Sequence, residues 1–141
     1  MRLLFCLTLL LLTTGQIFAQ SQTEMNIKAC NSAKKSEVRM NKLYQQILKE
    51  YQKDKVFIAK FKKAQKAWIL YRDAEIEAEY PTRPGELYGT VKPMCDCQIF
   101  ESFVLKRIKE LEKWIKGSVC CDVCGPSWKE YDPKNRSKIL H

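Results

Sequence analysis

The sequence predicts an all-α protein, a small up-down-up three-helix bundle braced by disulfides. Three segments have apolar residues spaced three and four positions apart, as on the buried face of an amphipathic helix. Most Pro and Gly residues of the central region lie between the second and third segments. An even number of cysteines follows the first nineteen residues. Neither a strand-like alternation nor an internal repeat competes with this prediction.

The first nineteen residues have the layout of a secretory signal peptide. Arg2 precedes an apolar run from Leu3 to Leu12, and a small and polar stretch leads to cleavage after Ala19. The run is about ten residues long, half of what a membrane-spanning helix needs. We therefore expect export to the periplasm or the medium, removal of residues 1–19, and no transmembrane segment.

Two helices are predicted before the Pro and Gly cluster. The apolar face of the first runs from residue 29 to residue 51 and consists of Ala29, Cys30, Ala33, Met40, Leu43, Tyr44, Ile47, Leu48 and Tyr51. The second face extends to about Glu79 and includes Phe57, Phe61, Ala64, Trp68, Tyr71 and Arg72. The two faces are offset, and Asp54 suits a helix N-cap, so we expect a tight turn at 52–54 rather than one long helix.

A structured loop is predicted over residues 80–93, which contain Pro81, Pro84, Gly85, Gly89 and Pro93. The third helix follows, and its inner face is Phe100, Phe103, Val104, Ile108, Leu111, Trp114 and Ile115. Gly117 is placed to end it. The predicted organisation is a leader (1–19), one helical domain (20–117), and a Cys-rich and then flexible polar tail (118–141).

Six cysteines remain once Cys6 leaves with the leader, and an exported chain uses such a set mainly for disulfides. They are Cys30, Cys95, Cys97, Cys120, Cys121 and Cys124. In an up-down-up bundle the first and third helices start at the same end, so we expect Cys30 to pair with Cys95 or Cys97, and Cys124 to reach back to the other. The C-x-x-C spacing at 121–124 is a weak signal for zinc or a redox pair, because His141 is the only histidine.

Catalysis is not predicted. A Ser or Cys nucleophile usually needs a nearby base, and only His141 is available. The sequence has no Gly-rich phosphate loop and no metal-ligand spacing. The carboxylates of 73–79 alternate around a helix and fit a solvated face better than a glycosidase pair. We therefore expect a binding protein without catalytic residues, metal or cofactor.

The most distinctive segment is KAWILYRDAE at 66–75. Trp68, Tyr71, Arg72 and Glu75 share one helix face, because they are spaced three, four and seven apart. This face is either a ligand platform or part of a core helix in which Arg72 pairs with Glu75. The structural interpretation is favoured, since aromatic stripes at helical spacing are mostly core.

Several segments, in order, resemble the bacterial lysozyme-inhibitor LprI-like family. They are TEMN at 23–26, MNKLYQQIL at 40–48, FKKAQKAW at 61–68, YRDAE at 71–75, YGTV at 88–91, PM at 93–94, Arg107 and KEL at 109–111. The resemblance covers roughly 22–114, and its motif residues are Trp68, Tyr71, Arg72, Asp73 and Glu75. It implies an exported inhibitor of a muramidase, without naming the inhibitory residues.

The charge layout leaves two functional interpretations. The net charge is +9, and +8 without Arg2, so a cationic lysozyme would be attracted only to a locally acidic surface. That surface is predicted near the loop and includes Glu77, Glu79, Glu86, Tyr88, Asp96 and Glu101. Its partner would be lysozyme or another envelope protein.

The alternative is a cationic helical module that binds an anionic envelope polymer or lipid surface. Its patch would be Lys60, Lys62, Lys63 and Lys66, although a solvated helix face also explains these lysines. Nucleic acid is not an expected partner, because the chain is exported and the lysines are not interleaved with exposed aromatics.

Overall fold

The computed structural model describes residues 2–81, 83–85 and 88–117, with side chains from Ser21 onward. This part of the chain contains three helices and no strand: α1 (Arg2–Glu50), α2 (Lys55–Glu79) and α3 (Lys92–Lys116). The predicted all-α bundle is therefore confirmed. The expectations for the tail, for its three cysteines and for Glu86 lie outside the described residues.

The turn between α1 and α2 is where the sequence predicts it. α1 ends at Glu50, and the Asp54 carboxylate accepts a hydrogen bond from the Phe57 amide at 2.9 Å. This bond satisfies one of the backbone N–H groups that a helix start leaves without an intrahelical partner.

At its other end α1 is longer than predicted and begins at Arg2 instead of near residue 29. No proline interrupts residues 2–50, so the backbone can stay helical from Arg2 to Glu50.

Because this cap is local, its contribution can be measured by one substitution. Asp54→Ala should lower the free energy of unfolding by about 1 kcal/mol. Lys53→Ala, at the exposed neighbouring position, is the control and should change it by less than about 0.5 kcal/mol. Chemical denaturation of both variants is the measurement, and equal stability of the two would show that the cap does not stabilise the turn.

α1 and α3 run parallel and form the closest helix pair, with α2 antiparallel to both. At one end a disulfide joins Cys30 to Cys97, with 5.0 Å between their Cα atoms. At the other end the Tyr51 hydroxyl donates to the Trp114 carbonyl at 3.0 Å. The core lies mostly between α1 and α3 and includes Met40, Leu43, Ile47, Val104, Ile108, Leu111 and Ile115. These residues are the inner faces predicted from the helical spacing.

α2 joins this pair through aromatic side chains. Phe61 stacks on Tyr44 of α1 with ring centroids 5.4 Å apart, and Phe57 lies 4.8 Å from the Trp114 ring of α3. Tyr71, half exposed, meets Phe103 edge to face. Large rings fill the space between helices whose backbones are farther apart than those of α1 and α3, so α2 depends on aromatic packing for its position.

Candidate binding site at the loop end of the bundle

The end of the bundle where α2 stops and α3 starts is called the loop end here, and it comprises the last turn of α2, residues 80–91 and the first turn of α3. α3 begins at Lys92, so Pro93 belongs to its first turn and not to the loop as predicted. This position suits proline, because the first helical N–H groups lack intrahelical partners.

Contacts with α1 and within the loop hold this end in place. The Asn26 side-chain amide donates to the Thr90 carbonyl at 2.9 Å, and the Tyr88 hydroxyl donates to the Pro81 carbonyl at 2.8 Å. The disulfide from Cys30 to Cys97 lies at the same end. Gly85 has a φ of 80°, a conformation that glycine adopts without strain. These contacts hold the described residues of the loop in place before any partner binds.

A groove of about 410 Å³ runs between the end of α2 and the start of α3. Its lining includes Ile76, Glu77, Tyr80, Lys92, Asp96 and Phe100. The apolar residues come from both helices, whereas Glu77 and Asp96 bring carboxylates to the same groove. Such a surface can pack the stem of a side chain and attract a positive charge at its tip.

One cation of the chain lies among aromatic rings at the edge of this groove. The Lys92 Nζ is 2.6 Å from one Asp96 oxygen and 2.9 Å from the other. It is also 5.4 Å from the centroid of the Tyr80 ring and 5.7 Å from that of Tyr88. The two rings meet at 90° with their centroids 5.5 Å apart. Sequence analysis missed this cluster, since nothing in the spacing of residues 80, 88 and 92 signals it.

Tyr80 also interacts with Cys95, a cysteine without a disulfide partner among the described residues. The hydrogen bond between the Tyr80 hydroxyl and this thiol is the main cause that raises the pKa of Tyr80. The nearby charges of Glu79 and Asp96 act in the same direction. The raised pKa favours the neutral phenol, and this is the form whose ring faces Lys92.

The predicted acidic surface is only partly assembled at this end. Glu77 and Glu79 are exposed on the last turns of α2, whereas Asp96 is paired with Lys92. Glu101 faces α1, where the Ser32 and Ser36 hydroxyls donate to one of its oxygens at 2.9 and 2.7 Å. Glu101 therefore helps to join α1 to α3. Tyr88 is half-buried in the loop, and Glu86 lies outside the described residues.

The distinctive motif of α2 forms a stack against α3. The Arg72 guanidinium lies 5.2 Å from the Trp68 ring and 4.7 Å from the Phe100 ring, and the residue is 8% exposed. Its carboxylate partner is Asp73 at 2.7 Å, not the predicted Glu75, which is exposed. Glu75 lies one turn away along the helix, while Arg72 is held between two rings. This geometry favours the structural interpretation over a ligand platform.

The same stack contains a buried polar residue that sequence analysis did not single out. Gln65 is 5% exposed and accepts a hydrogen bond from Arg107 at 3.0 Å. The Arg107 guanidinium also lies 5.7 Å from the Trp68 ring. A signal was present, because Gln65 follows Phe61 by four positions and precedes Trp68 by three. At that spacing a glutamine faces the core.

The remaining predicted groups have simple surroundings. Lys60, Lys62, Lys63 and Lys66 are exposed, and none has a carboxylate partner within the described part of the chain. The pairing of Cys30 with Cys97 confirms one of the two predicted alternatives. Across residues 2–81, 83–85 and 88–117, no group of three His, Cys, Asp or Glu residues is placed to hold a metal ion. Among the described helices, none is long and apolar enough to cross a membrane.

Comparison with known proteins gives one result. Neither a curated protein nor a solved structure matches the chain. A family model described as lysozyme inhibitor LprI matches residues 15–111, which is more than half of the sequence and includes both the α2 motif and the loop end. The chain therefore belongs to the lysozyme inhibitor LprI family.

Proposed function

We propose that this protein is an exported, non-enzymatic inhibitor that binds a lysozyme through the loop end of its bundle. The observation that carries the proposal is the family match over residues 15–111. The predicted signal peptide supports export, because the leader would deliver the chain to the compartment where lysozymes act. Another envelope protein with a cationic surface would be bound by the same end.

Pre-organisation supports the choice of the loop end. An inhibitor loses less conformational entropy on binding when its contact surface is already ordered. Here the loop is tied to α1 by Asn26, closed on itself by Tyr88, and placed beside a disulfide. The groove next to it offers both apolar and acidic contacts in a single surface.

The distribution of charge also supports the loop end as the binding surface. The whole chain is cationic, so long-range forces oppose its approach to a cationic lysozyme. Glu77 and Glu79 are exposed at the loop end and can orient the encounter. We also assign Asp96 and Tyr88 to the proposed surface, and Glu86 is assigned to it from the sequence prediction alone. Glu101 acts mainly by joining α1 to α3.

Charge reversal tests this surface. Glu77→Lys/Glu79→Lys should weaken inhibition of a cationic lysozyme by about tenfold at low salt, because electrostatic steering and local attraction are lost. The difference should shrink at high salt, where exposed charges are screened. The measurement is the inhibitor concentration that halves the rate of cell-wall lysis. Lys62→Glu/Lys66→Glu is the matched control, with two reversals on the same helix, and should leave inhibition intact or improve it.

The polymer-binding alternative is supported by the exposed lysines Lys60, Lys62, Lys63 and Lys66 of α2. It predicts the reverse pattern in the same variants. Lys62→Glu/Lys66→Glu would then abolish retention on anionic cell-wall material, and the glutamate reversals would have little effect. If the native protein inhibits no lysozyme and only the lysine variant loses wall binding, the proposed function is wrong.

A further inference from the structure

We propose that Tyr80, Tyr88 and Asp96 form a cation-binding cage, which Lys92 of the same chain occupies until a lysine or arginine side chain of a bound partner replaces it. The cage is inferred from geometry alone. That its guest comes from a lysozyme rests on the proposed function.

Three groups converge on one ammonium. Attraction between a cation and an aromatic face is significant within about 6 Å of the ring centroid. The Lys92 Nζ meets this condition for both Tyr80 and Tyr88, at 5.4 and 5.7 Å, and the perpendicular rings form two walls. The Asp96 carboxylate supplies the third side at 2.6 Å. Aromatic walls with a carboxylate are an arrangement by which proteins recognise substituted ammonium groups.

Lys92 is held in a way that permits exchange. Its side chain is 34% exposed and that of Asp96 is 35% exposed, so water reaches the ion pair and weakens it. Lys92 is also the first residue of α3, where the positive end of the helix dipole opposes a cation. Its flexible stem lets the ammonium leave without movement of the backbone. Replacement by another cation restores the charge balance of the cage.

An incoming side chain has a route to the cage. The groove between α2 and α3 shares Tyr80 and Asp96 with it and is lined further along by Ile76 and Phe100. These apolar walls can pack the methylene stem of a lysine or arginine while its charged tip enters the cage. Glu77 in the same groove attracts the positive charge on its way in.

If Lys92 instead had a permanent structural role, removal of its ammonium would not improve the binding of an external cation. One variant therefore distinguishes an exchangeable Lys92 from a structural one. Lys92→Met keeps a similar stem and helix propensity but removes the ammonium. The probe is Nα-acetyl-lysine amide, followed by NMR of the tyrosine rings. The variant should bind this probe at least about tenfold more tightly than the native protein, since Lys92 no longer competes for the cage.

Two further variants complete the test. Lys106→Met is the matched control, because the Lys106 ammonium lies 5.5 Å from the Phe103 ring on the same helix but outside the cage. It should bind the probe like the native protein. Lys92→Met/Asp96→Asn should lose the gain in affinity for the probe that Lys92→Met shows. If Lys92→Met and a second variant, Lys92→Gln, are folded and bind the probe no better than native protein, the cage is wrong.

Inhibition assays assign the guest separately. Lys92→Met should inhibit lysozyme about tenfold more tightly than native protein, while Lys106→Met should be unchanged. Lys92→Met could bind the probe more tightly while neither it nor the native protein inhibits any lysozyme. In that case the cage is confirmed and the proposed function is wrong. If the native protein inhibits lysozyme and Lys92→Met inhibits it less, Lys92 has a permanent structural role. The proposed replacement of Lys92 by a cation of the partner is then wrong.

Discussion

Removing the disulfide by the double substitution Cys30→Ala/Cys97→Ala should lower the free energy of unfolding by about 4 kcal/mol in the chain-entropy model. The bridge joins residues 67 positions apart, so its loss frees a long loop in the unfolded chain. In the native state it ties α1 to the start of α3 at the loop end. We therefore expect a second effect, weaker inhibition, because the proposed binding surface loses part of its order.

The measurement is chemical denaturation of the oxidised proteins, with inhibition assayed under conditions where both are folded. Both cysteines must be replaced, because Cys95 could pair with the one that remained. Cys95→Ala is the control: it removes a cysteine two residues away while the bridge stays, and its stability should change by less than about 1 kcal/mol. Equal stability of the double variant and the native protein would contradict the prediction.

Arg72→Ala should destabilise the protein by about 3 kcal/mol, since truncation of a packed side chain leaves a cavity and removes two contacts with aromatic faces. The guanidinium lies between the rings of Trp68 and Phe100, so its loss removes one of the contacts that join α2 to α3. Arg72→Lys should recover little of this, because a compact ammonium does not stack as the planar guanidinium does. Thermal and chemical denaturation measure both variants.

Arg39→Ala is the matched control for charge. Its guanidinium pairs with Glu112 at 2.7 Å, but its side chain is 53% exposed, against 10% for Arg72. Glu112 is itself only 13% exposed, but it keeps its ion pair with Lys116 at 2.9 Å, so this variant should lose less than about 1 kcal/mol. If Arg72→Ala were as stable as Arg39→Ala yet bound its partner poorly, the motif would be a ligand platform after all.

Local features of the sequence determined the helices. The spacing of apolar residues places Ile47, Val104 and Leu111 in the core, because each helix repeats its buried face every three or four residues. The turn before α2 and the end of α3 depend on single residues, Asp54 and Gly117, whose capping chemistry is also local. Family membership was equally readable, since it rests on segments spread in order along the chain.

Only the tertiary structure decided which side chains meet across helices. Cys95 and Cys97 are two residues apart and both begin α3, but a helix rotates by about 200° over two residues. They therefore point to different sides, and it is Cys97 that faces Cys30. The register between α1 and α3 likewise turns Glu101 toward Ser32 and Ser36. The register between α2 and α3 places Arg72 between the rings of Trp68 and Phe100. The sequence by itself determined most of the buried helix faces, but Ala64 and Tyr71, both predicted on the buried face of α2, are exposed. The cage around Lys92 needs the path of the loop and the separation of α2 and α3 together, which no local pattern encodes.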